Sequence, residues 1–538
     1  MKRLLIHIMF VSVITLILPI SGHAQYFKAN TAPNPTLFLW QPPADEINPY
    51  WGRDIYRHFQ FKAYRDSAFY TDIYNANYDN KLLNELTLQS YYANFHVKFF
   101  QPAFELVVNK TTNRDIFFFL DSCRQSSNQM LSLIPQSWSR IRPCVRLREA
   151  NFCMRSKALS YYYNYSTAPN QSFPSNECSA GWLTGLLMST LNPWKADTIM
   201  SRAYRHGWCR QVSGGMWASD VDASRQLGTV AFANLMTLPN FRNRLRVLQQ
   251  KTASLVRASN HIPQRFSSSP TGPTIDELLS DDSLMTRLAA TIPVIGDESD
   301  GAFQADLSYY MTMKSLRDSI DLVELLSSSV EDPEAPSFAY IGLLGVSIDP
   351  HKTPCIYKLM TSVENCCDIL CQTIQDRSVQ RRRPYELFGH DAVTLEDLDG
   401  LSHHSSYPSY HASAGLATAL TLMMIVPEQR DTLLKMGYQF GANRVIAGTS
   451  WLSDLEAGRI AGCIAVGIVA SGSDFLDLLE AAQIEYHERH DIVITENPTI
   501  RPDQEAKEDT QLFTIDGRPA NSHSRGILVG KGRKYLKP

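Results

Sequence analysis

Two segments of the chain repeat one sixteen-residue pattern. They run from Arg210 to Arg225 (RQVSGGMWASDVDASR) and from Arg444 to Arg459 (RVIAGTSWLSDLEAGR). Both keep an arginine, a glycine, Trp-x-Ser-Asp and a closing arginine at the same offsets. A second matched pair lies upstream, at 54–67 and 306–319. The copies are 252 residues apart there and 234 apart at the first pattern, so we predict a domain-sized tandem duplication rather than a short-repeat solenoid.

Helical periodicity dominates the chain between these landmarks. Apolar residues recur at three and four positions in 359–370, 416–424 and 460–479, and hairpin signals are few. At 538 residues, 44% of them hydrophobic, the chain is too long for one ordinary core. We therefore predict an all-α protein of two tandem helical bundles, with a short C-terminal β-ribbon tail.

The N-terminus has the features of an export signal. Lys2 and Arg3 precede an apolar run from Leu4 to Ile20 and a small-residue site ending at Ala24. A membrane anchor is the alternative, but the run is short and is followed by a polar segment, so we predict cleavage before Gln25. Later apolar stretches are too short or carry charges, so we predict no transmembrane span in the mature chain.

Composition and turn residues predict the domain boundaries. A Ser/Pro/Gly-rich stretch at 267–274 indicates a linker between the two halves, and a charged, proline-containing segment follows His487. The predicted segments are a signal peptide (1–24), a first domain (25–260), a linker (261–275), a second domain (276–487), a second linker (488–511) and a tail (512–538).

Charge and cysteine content exclude some functions. The chain carries 51 lysines and arginines against 54 aspartates and glutamates, which does not favour a nucleic-acid partner. Its ten cysteines show no zinc-site spacing and no assignable disulfide pairs. His403 and His404 near His390 and Asp391 are a possible metal set, but adjacent histidines in a polar loop point apart, so we predict no metal and no cofactor.

Three segments of the second half form a candidate anion site. Arg381-Arg-Arg383-Pro384 comes first, Pro408-Ser409-Tyr410-His411 follows, and the segment Arg444 to Asp454 comes last. Two separated guanidinium groups, a serine and a small-residue helix start are suited to bind a tetrahedral oxyanion. The proline after Arg383 places that arginine in the site, whereas we predict Arg381 and Arg382 to be surface residues.

These segments resemble the bacterial class A non-specific acid phosphatases, in the superfamily of type-2 phosphatidic acid phosphatases and vanadium haloperoxidases. That family shows Lys-x6-Arg-Pro, then Pro-Ser-Gly-His, then Ser-Arg-x5-His-x3-Asp. The resemblance covers about 306–485 well and 54–225 more faintly. It implies two acid-phosphatase-like bundles and a phosphate or phosphomonoester ligand.

The resemblance also implies roles for individual residues. Arg383 and Arg444 would bind phosphate, Ser409 would donate a hydrogen bond to it, and His411 would protonate the leaving group. Asp454 would orient the nucleophile.

Both repeats depart from the family pattern at its reactive position. The nucleophilic histidine is replaced by Ser450 in the second repeat and by Met216 in the first. The family glycine is Tyr410, and the family lysine falls at Asp376, with Arg377 beside it as a substitute. The first-repeat equivalents are Arg142, Ser175, Glu177, Arg210, Met216 and Asp220. Since loss of a nucleophile typically costs on the order of 10³ to 10⁶ in rate, we predict an inactive first repeat.

Three functions remain open for the chain as a whole. It is a degenerate phosphatase that binds a phosphorylated ligand or scaffolds a partner, an active phosphomonoesterase with altered chemistry, or an envelope component with vestigial pockets. Ser450 either attacks phosphorus with help from His411 and Asp454, or fills space while Asp454 bonds locally.

The signal peptide predicts a periplasmic protein. The tail is similar to the C-terminal tails of exported Bacteroidetes proteins, some of which serve type IX secretion. A sorting role for the tail would make the protein secreted or surface-bound, and a plain β-ribbon end is the alternative.

Overall fold

The computed structural model describes residues 96–131, 140–147, 172–259, 271–296, 303–315, 340–389, 392–393, 404–496, 513–514, 526–530 and 533–537, except positions 213 and 342. The predicted signal peptide, the upstream repeat copy at 54–67 and the residues His390, Asp391 and His403 lie outside these ranges. The described chain is dominated by helices, which confirms the all-α fold class.

Two compact units divide the described residues. Those of the first unit fall within residues 1–293, 420–435 and 463–476. Those of the second unit fall within residues 294–419, 436–462 and 477–538.

Helices make up the first part of the chain. They are α1 (His96–Phe104), α2 (Arg114–Leu131), α3 (Pro143–Arg146), α4 (Asn176–Leu191), α5 (Ala196–Val212), α6 (Ala218–Met236), α7 (Pro239–Ala258), α8 (Ile275–Leu279) and α9 (Asp282–Ala289). Helix α4 is buried on nearly every side and packs against α2, α5 and α6. A helix that is apolar all round belongs in a core, so α4 is the centre of this unit. Gly185 allows α5 to approach closely, since a Cβ there would lie 2.5 Å from the Cβ of Ala203.

Helices also form the second part of the chain. They are α10 (Phe303–Lys314), α11 (Pro354–Gln375), α12 (Pro384–Leu387), α13 (Tyr410–Ile425), α14 (Arg430–Ala447), α15 (Leu452–Ser471) and α16 (Phe475–Glu496). On α10, Asp306 and Tyr310 are fully buried, and the Tyr310 ring stacks on Phe388 at 5.3 Å. The two positions lie about one helical turn apart, and both face the core.

Glycines on α15 set its distance from α13. A Cβ at Gly458 would lie 2.3 Å from the Ser409 carbonyl oxygen, and a Cβ at Gly462 would lie 2.4 Å from that of Ser413. The two helix backbones therefore pack in direct contact. This contact fixes the start of α13, where Ser409 lies.

Gly458→Ala will push the start of α13 away from α15. We expect a loss of about 1–3 kcal/mol in the free energy of unfolding, because an extra methyl group in a closed contact forces the backbone to shift. Chemical denaturation measures this loss. An unchanged unfolding midpoint would contradict the close contact at Gly458.

Three short strands lie near the C-terminus. They are β1 (Phe513–Thr514), β2 (Gly526–Gly530) and β3 (Arg533–Lys537), paired antiparallel in the order β1-β2-β3. The register pairs Phe513 with Val529 and Leu528 with Tyr535.

In the described part of the chain, no single helix is long and apolar enough to cross a membrane. One bent pair of helices, Leu452–Ser471 with Phe475–Arg489, passes that test together by length and composition.

Candidate functional site

A cavity of about 410 Å³ in the second unit is lined by most of the residues predicted for the site. Five of the six residues predicted in the second repeat contribute to its wall, and Asp454 does not. Its lining residues are Asp368, Cys371, Gln372, Gln375, Arg383, His404, Ser406, Pro408, Ser409, Tyr410, His411, Arg444 and Ser450. The volume suits a small phosphate ester.

Arg383 is held at the cavity by backbone carbonyls. It precedes α12, and its Nη1 donates to the Thr449 carbonyl oxygen at 2.8 Å. Its Nη2 lies 3.4 Å from the Ser405 carbonyl oxygen. The side chain is 8% exposed. These contacts fix one guanidinium fork against the loop that carries Ser450.

The loop after α14 brings Arg444 and Ser450 to the same cavity. The backbone N–H groups of Thr449 and Ser450 donate to the Arg444 carbonyl oxygen at 3.0 and 3.2 Å. Gly448 has a φ of +91°, so it ends α14 in a left-handed conformation that favours glycine. The repeated glycine of the sequence pattern is therefore required by this turn.

Ser409 caps α13 at the cavity. Its Oγ accepts a hydrogen bond from the Ala412 N–H at 3.3 Å, and its own N–H donates to the Asp454 carbonyl oxygen at 3.0 Å. The helix start contributes positive electrostatic potential at the cavity, in addition to the two arginines.

Two rings after Ser409 shape the cavity wall. Tyr410 and His411 pack edge to face with centroids 5.7 Å apart. Burial and the nearby Glu364 raise the pKa of the Tyr410 phenol, so it stays neutral and can donate a hydrogen bond. Tyr410, which the resemblance aligns with the family glycine, lines the cavity.

Ser450 is buried at the cavity wall, 2% exposed. Its hydroxyl has no hydrogen-bond partner among the residues that the structure describes. A serine without a base in contact is a poor nucleophile at neutral pH.

Asp454 belongs to a buried ion network. Its carboxylate accepts hydrogen bonds from Arg381 Nη1 and from the Trp451 N–H, both at 2.7 Å. Burial raises the pKa of this carboxyl, while Arg381 opposes that shift. Asp454 thus bonds locally, which is the second of the two interpretations given above, and it does not contact Ser450.

The sequence interpretation of Arg381 as a surface residue is wrong. Arg381 is 2% exposed, and its Nη2 donates to Asp306 Oδ2 at 2.6 Å while its Nη1 reaches Asp454. Ser453 also donates to Asp306, through its N–H at 2.9 Å and its Oγ at 2.6 Å. Arg382 is exposed, as predicted. Arg381 is buried because two carboxylates compensate the desolvation of its charge.

The first repeat contains the same set of contacts around its own pattern. Arg140 takes the place of Arg381, and its Nη1 donates to Asp220 Oδ1 at 2.8 Å. The indole N–H of each repeated tryptophan, Trp217 or Trp451, donates at 2.8 Å to the carbonyl oxygen of the residue before the Arg-Pro arginine. Arg142 Nη1 donates to the Gly215 carbonyl oxygen at 3.0 Å, as Arg383 does to Thr449.

The anion site of the first repeat is altered. Met216 is 2% exposed, packs with Cys178 and Val221, and lies 3.5 Å from Arg142 Nη1. Ser175 Oγ caps α4 through the Cys178 N–H at 3.2 Å and also donates to Glu177 Oε2 at 3.3 Å.

The guanidinium of Arg210 in the first repeat is buried. Burial and the charge of Arg142 lower the pKa of Arg210 to about 9. Met216 and Glu177 are the first-repeat positions at which the resemblance implies histidines, and a thioether and a carboxylate there fit the inactive first repeat that we predict.

Some lining residues were missed by sequence reasoning. Asp368, Cys371, Gln372 and Gln375 lie on one face of α11, and the helical spacing of these residues is the signal that could have shown them. His404 also lines the cavity and was considered only for metal binding.

Neither residue considered for the family lysine lies at the cavity. Asp376 and Arg377 are both exposed and are not among its described lining residues. The structure therefore gives no support to Arg377 as a substitute for the lysine, because the chain leaves α11 before that position.

In the described part of the chain, no group of three or more His, Cys, Asp or Glu residues could hold a metal ion. His390, Asp391 and His403, which belonged to the possible metal set, lie outside the described residues.

The cavity and its two arginines can be compared with known proteins. Residues 362–475 match the model of the PAP2 superfamily. This region contains Arg383, Ser409, His411, Arg444 and Ser450, so the family match and the cavity coincide.

The curated relatives are acid phosphatases. The chain is 36% identical over 149 residues to a non-specific acid phosphatase of Providencia stuartii, which is 28% of this chain and 60% of that protein. It is 25% identical over 206 residues to one of Salmonella typhimurium, covering 38% of this chain and 82% of that protein. An acid phosphatase of Zymomonas mobilis is 32% identical over 105 residues, 20% of this chain and 40% of that protein. These similarities support an acid-phosphatase-like protein with an all-α PAP2-like fold.

Proposed function

We propose that the chain is an exported acid-phosphatase-like protein that binds a phosphate ester in its second repeat with impaired turnover. One observation carries the proposal. Two buried arginines, Arg383 and Arg444, reach one cavity with a helix start, while the position of the family nucleophile is Ser450 without a base in contact. The arrangement is therefore suited to hold a tetrahedral oxyanion more than to attack it.

A tandem duplication underlies this function. Its support is the matched set of contacts in the two repeats: an arginine to the aspartate, the tryptophan indole to a backbone carbonyl, and the Arg-Pro arginine to the following loop. Both copies keep this frame, and the resemblance places Met216 and Ser450 at the reactive position. We place the two domains at 25–260 and 276–487, with export directed by residues 1–24 and a possible sorting role for the tail.

Arg444→Ala will weaken the binding of inorganic phosphate and of orthovanadate by at least about tenfold, because a charge-assisted hydrogen bond contributes about 1.5–3 kcal/mol. Titration calorimetry of the full chain measures both anions. Arg382→Ala is the matched control, since it removes an exposed arginine from the same region and should leave both affinities unchanged. Undetectable phosphate binding by the wild-type protein would instead favour an envelope component with vestigial pockets.

The second candidate function is an active phosphomonoesterase that uses Ser450 and His411. One observation favours it, because both side chains line the same cavity as the arginines. Ser450 Oγ would attack phosphorus and lose its proton to water, and His411 would protonate the leaving oxygen. Water would then hydrolyse the phosphoserine and release phosphate.

Turnover of p-nitrophenyl phosphate separates the two functions. We expect little turnover by the wild-type protein and no large further loss in Ser450→Ala or His411→Ala. Substantial turnover that either substitution abolishes would establish the active enzyme and contradict the impaired one.

A further inference from the structure

Helix α11 forms one wall of the cavity, and the proposed phosphate site uses none of its residues. Asp368, Gln372 and Gln375 lie at helical spacing on the face of α11 that lines the cavity. Cys371 lies among them, and burial raises the pKa of its thiol to about 12, so the thiol is uncharged. Asp368 is therefore the acidic group that the described residues contribute to the cavity.

Hydrogen bonds fix the direction of both amides on this wall. Gln372 Nε2 donates to Asp368 Oδ1 and Oδ2 at 2.9 and 2.8 Å, and Gln375 Nε2 lies 3.4 Å from the Ser405 carbonyl oxygen. Since the amino groups face these acceptors, each amide oxygen is left as an acceptor. Besides the Cys371 thiol, the wall thus has the Asp368 carboxylate and two amides whose oxygens can accept hydrogen bonds.

The rest of the cavity has the opposite character. Arg383, Arg444 and Ser409 offer guanidinium and hydroxyl donors, and the α13 start adds N–H groups. The cavity is therefore bipolar, with a donor-rich end for an oxyanion and an acceptor-rich wall on α11. An alkyl chain placed against that wall would offer no hydrogen-bond donor to the Asp368 carboxylate or to the amide oxygens, which opposes binding.

We propose that the α11 wall is a subsite for a protonated amine on the alcohol part of the bound phosphate ester, so that the preferred ligands are zwitterionic aminoalkyl phosphomonoesters. This inference rests on the proposed phosphate site. The ammonium group donates to the Asp368 carboxylate and to the amide oxygens of Gln372 and Gln375. Burial raises the pKa of the Asp368 carboxyl, which shows that water is partly excluded there, and an ion pair is stronger where water is excluded.

The Tyr410 ring completes this subsite. It occupies the position of the family's glycine and lines the cavity, and Asp368 is among the charges that raise the pKa of its phenol. An aromatic face beside a carboxylate attracts an ammonium group through its quadrupole. Tyr410 and the α11 wall therefore act together on ligand choice.

The test compares aminoalkyl phosphates with n-alkyl phosphates of matched length, with two to four methylene groups, by titration calorimetry of the full chain at pH 8. We expect at least one aminoalkyl phosphate to bind on the order of tenfold more tightly than its alkyl match. Asp368→Asn should abolish that preference while the affinity for inorganic phosphate stays the same. Gln372→Lys, at an exposed position, should abolish it as well by placing a fixed cation beside Asp368.

The outcomes separate the two proposals. If inorganic phosphate binds but no amine preference is found at any length, or if the preference survives both substitutions, the α11 subsite is wrong and the phosphate site stands. If neither inorganic phosphate nor any ester binds, the proposed function itself fails. Circular dichroism of Asp368→Asn and Gln372→Lys checks that each variant keeps the helical fold.

Discussion

Replacing Arg381 by alanine will lower the free energy of unfolding by about 3–5 kcal/mol, the usual cost of removing one partner from a buried ion pair. Arg381 joins two fully buried carboxylates, with 2.6 Å to Asp306 and 2.7 Å to Asp454. Without the guanidinium, both carboxylates lie in a region that excludes water, and they repel each other.

Urea denaturation of the full chain measures this effect. Arg382→Ala is the matched control, because the adjacent side chain is exposed, and its change should stay within about 0.5 kcal/mol. Replacing Asp306 and Asp454 by asparagine in the Arg381→Ala background should recover part of the loss, since the uncompensated charges are then absent. Equal stabilities of Arg381→Ala and Arg382→Ala would show that the network does not stabilise the fold.

Ser450→His will raise turnover of p-nitrophenyl phosphate by at least about 10², because it returns an imidazole to the position of the family nucleophile. The new ring would enter a cavity that already holds Arg383, Arg444 and His411. We expect a smaller gain than the full value of a nucleophile, since no lysine was found at the cavity wall among the described residues. Steady-state rates and trapping of a phosphohistidine at position 450 measure the gain.

Met216→His in the first repeat is the matched control for that experiment. Met216 packs in an apolar cluster with Cys178 and Val221, and Glu177 stands where an acid catalyst would be needed. An imidazole there should give no turnover and no phosphohistidine. If Ser450→His produced neither product nor trapped intermediate while phosphate binding persisted, the cavity would be an anion site without catalytic geometry.

The sequence was sufficient to predict the fold class and five of the residues that line the cavity. Apolar residues at three and four spacing predict helices, and the structure is dominated by helices. Arg383, Ser409, His411, Arg444 and Ser450 were chosen from local patterns, and all five line one cavity. Local patterns succeed here because helix starts and the turn at Gly448 place these side chains through contacts near in sequence.

The sequence did not predict which charged side chains are buried. Arg381 stands in a run of three arginines, which favours an exposed position, yet it is buried while Arg382 is exposed. Its burial depends on Asp306 and Asp454, which lie 75 and 73 positions away. The repeated Arg-x-Arg-Pro of both halves was the available signal, because Arg140 makes the same contact with Asp220.

The sequence by itself determined the doubled pattern and the helical class, and it shows Met216 and Ser450 at matching offsets in the two copies. Only the tertiary structure showed that the Asp454 carboxylate accepts a hydrogen bond from Arg381 and does not contact Ser450. It also showed that α11 residues with hydrogen-bond acceptors form one wall of the cavity. The physical reason is that spacing fixes which side chains share a helix face, whereas charge compensation and cavity lining depend on which faces meet.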